Sequence, residues 1–267
     1  MSLPAPDPNA TVVVTGASSG IGAELARELS RRGHHVTLVA RRRDRLEELA
    51  AELGAADARP ADLAGAEGRA ALLGALRQTG RFVAGLCNNA GFGTFGRLWE
   101  LDADTERQEV ALNVVALHDL SLEVVPRMVE RGAGAILNVG SIAGAQPLPG
   151  NATYAATKAF VNSLSEALHT ELHGTGVSCT VLTPGPVRTE FMDAADAPEI
   201  ESRAPGFLWE SAPDVARAAV EGMARGRRVV VPGVVAKVAT TAGRFTPRAL
   251  ALPVTRAAYA RRPADKA

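Results

Sequence analysis

Apolar positions along the chain alternate between two kinds of pattern. Short runs of consecutive β-branched or aliphatic residues, such as Thr11 to Thr15, His35 to Ala40, Phe82 to Cys87, Ala135 to Val139, Val177 to Leu182 and Arg228 to Val231, read as strands. Between them lie stretches with helical spacing. Ile21, Leu25 and Leu29 recur every fourth residue in a helix predicted over Ile21 to Arg32, which Gly33 ends. Further helices are predicted over Asp44 to Leu53, within Asp104 to Arg131 as one long element, and over Ala152 to His173. A third strand segment precedes Asp62, and a helical pattern starts at Ala64.

Strands that are apolar on successive positions must be covered on both faces, and helices between them make parallel crossovers. The pattern predicts an α/β fold with a doubly wound, Rossmann-like parallel sheet in a single domain, with ligands at the carboxyl ends of the strands. The expected division is an extension over 1–10, the domain over 11–232 and a basic extension over 233–267.

Composition narrows the function classes. Lys plus Arg and Asp plus Glu are equal at 29 each, so no global basic charge points to nucleic acid, and no nucleic-acid partner is expected. The two cysteines, Cys87 and Cys179, lie within apolar runs and lack ligand spacing, so they read as buried strand residues with no metal site. The Pro-rich start over Met1 to Ala10 has no apolar signal core, and no stretch approaches the roughly 18 apolar residues of a spanning helix. The expectation is a cytoplasmic protein without a transmembrane segment.

The first strand runs into Thr15-Gly16-Ala17-Ser18-Ser19-Gly20-Ile21-Gly22 and then a helix. Glycines there permit a tight turn and close backbone approach, and the helix start offers free N–H groups to a pyrophosphate. A structural turn is the plain alternative; placement between first strand and helix favours dinucleotide binding. The spacing G-x-x-x-G-x-G resembles that of the short-chain dehydrogenase/reductase family in its single-domain form, from about Thr11 to Gly233. Further motifs follow in the family's order: Asn88-Asn89-Ala90-Gly91 closing the fourth strand, Asn113 in the next helix, Ser141 ending the fifth strand, Tyr154-x-x-x-Lys158 opening the following helix, and Pro184-Gly185 after the sixth strand.

The pairing of Tyr154 with Lys158 also makes sense without the resemblance. A phenol titrates near pH 10, and an ammonium four residues on shares its helix face and favours the phenolate. An ordinary surface pair is the alternative. The resemblance implies that Tyr154 exchanges a proton with a carbonyl or hydroxyl oxygen. It implies that Lys158 lowers the phenol's pKa and holds the nicotinamide ribose, that Ser141 hydrogen-bonds the substrate oxygen, and that Asn113 supports a water linking Lys158 to solvent. It further implies that Gly16, Ser18, Ser19, Gly20, Ile21, Asp62, Leu63, Asn89, Ala90, Gly91, Tyr154, Lys158, Pro184, Gly185, Val187 and Thr189 line the cofactor. Asp62 can equally cap the helix after it.

The family's acidic position at the end of the second strand holds Ala40, and Arg41 follows. A carboxylate there would repel a 2′-phosphate, whereas a guanidinium can pair with one. Arg41 therefore argues for NADP(H), while Arg42, Arg43 and Arg45 read as a solvated helix start. The implied activity is hydride transfer between nicotinamide and a carbonyl or hydroxyl carbon, most simply ketone reduction. A 3-oxoacyl thioester reductase and a non-catalytic NADP(H)-sensing protein remain alternatives, as does an epimerase or dehydratase.

Substrate-side candidates are Phe92, Gly93, Phe95, Ala143, Gln146, Leu148, Pro186, Phe191, Met192 and Phe207, with a lid within Glu190 to Glu210. Their apolar character suggests an apolar or amphipathic small-molecule carbonyl or alcohol substrate. From Gly233 to Ala267 the chain carries seven Lys or Arg and one acid, Asp265. That segment can touch an anionic membrane, cover the substrate site, or pack on its own domain or a partner subunit. The resemblance also implies a homodimer or homotetramer through helices at about 104–131 and 152–173.

Overall fold

The computed structural model describes residues 2–191, 209–233, 236–237, 246, 249, 252–253 and 255. Among them seven parallel strands form one sheet in the order β3-β2-β1-β4-β5-β6-β7. The strands are β1 (Ala10–Thr15), β2 (Val36–Ala40), β3 (Ala56–Pro60), β4 (Phe82–Asn88), β5 (Gly134–Val139), β6 (Val177–Leu182) and β7 (Val229–Val230). The doubly wound α/β fold expected from the pattern is the one observed.

Successive residues of β1 serve opposite faces. Val12 and Val14 join a core with Leu25 and Leu29 of α1 (Gly20–Arg31), Leu46 of α2 (Arg43–Leu53) and Val215 and Met223 of the last described long helix, Ala212–Ala224. Val13 joins the other core, with Leu72 and Leu76 of α3 (Ala66–Gln78) and Leu120, Val124 and Met128 of α5 (Leu117–Arg131). Both cysteines are fully buried strand residues. The order reverses between β1 and β4, and there the strand ends open a crevice.

Some elements differ from the pattern reading. The stretch expected as one helix over 104–131 is α4 (Ala103–Val110), a π-helical turn over Ala111–Ala116, and α5. A π turn widens the backbone locally, and here it carries Asn113. β3 lacks an apolar run because it is the half-buried edge strand, ending at Pro60. The helix Ala212–Ala224, called α7 below after α6 (Ala152–Glu171), was not expected. Its start is nevertheless written in the chain: the Ser211 hydroxyl accepts from Asp214 N at 3.2 Å, and a proline sits in the first turn. The leading segment lies against the body: Leu3 is buried, and its N–H donates to Met223 O at 3.3 Å.

Candidate active site

The turn after β1 needs its glycines. Gly16 and Gly20 have φ of 66° and 55°, and a Cβ on Gly22 would lie 2.2 Å from Gly16 O. Ser19 at the helix start makes no side-chain cap, and the first turn of α1 holds no acid. The positive end of α1 therefore faces the crevice with N–H groups to offer. Gly22→Ala forces the turn backbone apart, an overpacking expected to destabilise by about 1–3 kcal/mol. A melting curve that coincides with that of the unchanged protein would contradict this close approach.

Side chains of β1 and β4 lock the crevice floor. Thr15 Oγ1 accepts from Asn89 N at 2.9 Å and Ala90 N at 3.0 Å, and Asn89 Nδ2 donates to Thr15 O at 2.9 Å. Behind them a buried amide ladder crosses the sheet: Asn88 Nδ2 donates to Asn138 Oδ1 at 2.9 Å, and Asn138 Nδ2 to Ser165 Oγ at 2.9 Å. Thr15 opens the glycine motif, but neither its locking role nor Asn138 is legible in the sequence pattern.

One cleft of about 950 Å³ runs along the strand ends. All the residues predicted to line a cofactor border it: Gly16, Ser18, Ser19, Gly20, Ile21, Arg41, Asp62, Leu63, Asn89, Ala90, Gly91, Tyr154, Lys158, Pro184, Gly185, Val187 and Thr189. At one end Asp62 Oδ1 accepts from Ala64 N at 3.1 Å, a local turn rather than a helix cap, since α3 starts at Ala66. Arg69 braces that turn through Leu63 O at 3.0 Å and Ala64 O at 2.8 Å.

The reading of Arg42 as part of a solvated helix face needs correction. Its Nη2 donates to Ser18 Oγ at 3.0 Å, and its Nη1 pairs with Glu190 Oε2 at 2.9 Å, so the side chain folds back over the glycine turn. Position 42 is the residue just before α2, where the backbone is extended, so its side chain points along the turn and not out with the helix surface. Arg41 and Arg42 both border the cleft.

At the other end Ser141, Tyr154 and Lys158 meet. Ser141 Oγ accepts from Ala143 N at 3.0 Å and hydrogen-bonds the Tyr154 phenol. Asn162 Nδ2 holds Ser141 O at 3.0 Å. Lys158 Nζ lies 5.6 Å from the Tyr154 ring centre and donates to Val139 O at 2.7 Å. Burial pushes the phenol up to about 12, against the Ser141 hydrogen bond that lowers it. Burial also pulls the Lys158 ammonium down to about 8. The arrangement offers a protonated phenol beside a hydroxyl, with a cation one helical turn away.

Asn113 stands behind the cleft wall. Its Oδ1 accepts from Phe92 N at 3.1 Å, and its Nδ2 donates to Phe92 O at 2.8 Å and Thr157 Oγ1 at 3.1 Å. The amide is thus spent on clamping residue 92 and on Thr157, from within the buried π turn.

The substrate-side wall is apolar: Phe92, Phe95, Ala143, Pro186 and Phe191 border the cleft, joined by Ile142 and Trp209. Gly93 packs on the Tyr154 ring, and Phe191 lies 5.5 Å from it, centre to centre. Gln146 and Leu148 do not border the cleft; Gln146 Nε2 donates to Thr246 O at 3.1 Å. Met192 and Phe207, and most of the expected lid and basic extension, lie outside the described residues. Of that extension Ala236 is buried against Gly185. No helix among the described residues is long and apolar enough to cross a membrane.

Comparison with known proteins adds to this geometry. The model of a family described as short chain dehydrogenase matches residues 10–199. The NADP-dependent 3-hydroxy acid dehydrogenase YdfG of Escherichia coli (strain K12) is 40% identical over 186 residues, covering 67% of this chain and 74% of that one. A short-chain dehydrogenase from Sphingobium yanoikuyae, solved in complex with NADPH, is similar at 35% identity and a TM-score of 0.79, covering 97% of this chain and 98% of that one. The bulky-bulky ketone specific alcohol dehydrogenase from Comamonas testosteroni is similar at 30% identity and a TM-score of 0.74, covering 97% of this chain and 96% of that one.

Proposed function

The chain belongs to the short chain dehydrogenase family, and from that premise we propose that it is an NADP(H)-dependent reductase of apolar ketones. The observation that carries the reading is the single cleft in which a glycine turn, two guanidinium groups, the Tyr154–Lys158 pair and an aromatic wall succeed one another.

The residues present fit a phosphorylated dinucleotide. The glycine turn excludes any Cβ, the uncapped start of α1 presents N–H groups, and Arg41 with Arg42 supplies positive charge where no acid ends β2. Ser18, Ser19, Gly20 and Ile21 would hold the pyrophosphate end, Asp62 and Leu63 the adenine, and Asn89, Ala90 and Gly91 the floor. Pro184, Gly185, Val187 and Thr189 would hold the carboxamide. Bound there, the nicotinamide would supply or accept the hydride.

In reduction Ser141 positions the carbonyl oxygen, and Tyr154, protonated at neutral pH, delivers a proton to it. Lys158 stabilises the phenolate left behind and would hold the ribose. Asn113 keeps Phe92 in place and would support a water linking Lys158 to solvent. The phenyl groups of Phe92, Phe95 and Phe191 with Trp209 favour a bulky apolar substrate, in keeping with the relative named for bulky-bulky ketones. A panel of ketones, 3-oxoacyl thioesters and 3-hydroxy acids assayed by NADPH turnover tests the reading; selective activity on thioesters would favour the acyl reductase instead.

The apolar residues exposed on the 103–131 stretch and α6 support a homodimer. Leu122 is 61% exposed, and Val110, Val115, Val129 and Phe160 are exposed with it. A charge at the centre of such a face loses its burial. Leu122→Glu is therefore expected to shift sedimentation from dimer to monomer; a monomeric unchanged protein would remove the assembly reading. The basic extension, touching Gly185 and Gln146 through its described points, is read as packing over its own domain, not as a membrane anchor.

A further inference from the structure

Glu109 is a carboxylate with no accessible surface. It lies on the last turn of α4, one turn before Asn113, and no step of the proposed reaction uses it. A buried carboxylate needs donors, and its Oε2 accepts from Thr94 N at 3.1 Å and Thr94 Oγ1 at 3.1 Å. Its Oε1 has no partner. Thr94 lies between Phe92 and Phe95, on the segment that forms the aromatic wall and seats Gly93 on the Tyr154 ring.

That segment is held at three places. Asn113 clamps both main-chain groups of Phe92, Glu109 holds the N–H and hydroxyl of Thr94, and Asn151 Nδ2 holds Thr94 O at 2.5 Å. Of these anchors Glu109 can change charge, and between it and Glu106, which shares the Thr94 hydroxyl, only Glu109 also holds the Thr94 main chain. The groups facing it are Glu106 on its own helix, and Tyr154 and Lys158 from α6. Glu106 also accepts from Thr94 Oγ1, at 2.5 Å, and from the Thr153 hydroxyl. A single hydroxyl proton cannot serve both carboxylates, so Thr94 couples their hydrogen bonds.

We infer that Glu109 is a positioning residue for the reaction: its carboxylate fixes the Phe92–Phe95 wall against Tyr154 and supplies the buried negative charge that balances Lys158. The inference rests on the reductase reading for its kinetic consequences, but not for its electrostatic core. Burial pushes Glu109 up to about 7, with Glu106 adding to the rise and the Thr94 hydrogen bonds and Lys158 opposing it. Above that pH the ionised group works to keep Lys158 charged, against the burial that pulls the ammonium down to about 8.

The electrostatic core is tested on the full-length protein without substrate, by carbon NMR of glutamate labelled at the carboxyl. One carboxyl is expected to titrate near pH 7, to vanish in Glu109→Gln, and to move to higher pH in Lys158→Met. Titration of every glutamate below pH 6, or a midpoint indifferent to Lys158→Met, overturns the inference. In ketone reduction, Glu109→Gln should move the alkaline limb of kcat/KM to lower pH by about one unit, because Lys158 then loses its charge earlier. Thr94→Val should raise KM for ketone several-fold with NADPH affinity unchanged, and Thr94→Ser should restore it; equal KM in all three removes the wall. The threonine variants stand alone if Glu109→Gln does not fold. Absence of any ketone reduction counts against the proposed function, while the NMR midpoints still decide the charge pairing.

Discussion

Tyr154→Phe is expected to lower kcat/KM for ketone reduction by about 10³- to 10⁴-fold, at the upper end of what a positioned general acid contributes. That factor corresponds to about 4–5.5 kcal/mol of transition-state stabilisation. The substitution removes the hydroxyl and leaves the ring, so the Phe191 contact at 5.5 Å and the seat on Gly93 persist, and folding should be unaffected. Ser141 still positions the oxygen but is a much weaker acid than the phenol, so it cannot substitute. Fluorescence titration should show NADPH affinity within a factor of about two, because the loss falls on a transition-state interaction and not on uniform binding. Retention of more than about a tenth of the activity would break the assignment of Tyr154.

The direction of the pKa shifts adds a sign to this result. Burial holds the Tyr154 phenol protonated, raised to about 12, so the structure stands ready to donate rather than accept. Reduction should therefore persist to low pH. Oxidation of an alcohol needs the phenolate and should rise with pH, helped by the Lys158 charge while that charge lasts.

Much of this was written in the sequence, because the features that carry it are local. The consecutive β-branched run of Val12, Val13 and Val14 followed by the fourfold spacing of Ile21, Leu25 and Leu29 suffices for a strand running into a helix, and a glycine turn between them is a contiguous signal. The tyrosine and lysine share one helix face. Residues that act through contacts across the fold were not legible. Glu109 reads as one more acid in a charged helix, Asp104 to Glu109, and only the approach of Thr94 and α6 buries it. Its signal was faint: it stands four residues before Asn113, on the same helix face. Arg42 meets Glu190, 148 residues away, a pairing that no local pattern encodes. The π turn at Ala111–Ala116 likewise leaves no mark on hydrophobic spacing, since Leu117, Leu120 and Val124 resume helical intervals after it.

Removing both guanidinium groups, Arg41→Ala with Arg42→Ala, is expected to raise KM for NADPH by about 100-fold or more while changing KM for NADH by less than about threefold. A charge-assisted hydrogen bond contributes about 1.5–3 kcal/mol, or roughly 10- to 150-fold per residue. Arg42 belongs at the low end of that range. Its side chain is 42% exposed and already paired with Glu190 and Ser18, so a phosphate must share or displace those contacts. Glu190 itself is held well ionised by that arginine, and its negative charge opposes an incoming anion. Arg41 has no such competitor among the described carboxylates, and the single change Arg41→Ala should account for most of the combined loss. The same electrostatics makes the NADPH preference salt-dependent, because charges this exposed are screened over about 10 Å at 0.1 M salt. Comparison of kcat/KM for NADPH and NADH in the unchanged protein, the single variants and the double variant decides the matter. A double variant that still prefers NADPH by the original factor would show that the 2′-phosphate is read elsewhere, with Ser18 and Ser19 the next groups to remove.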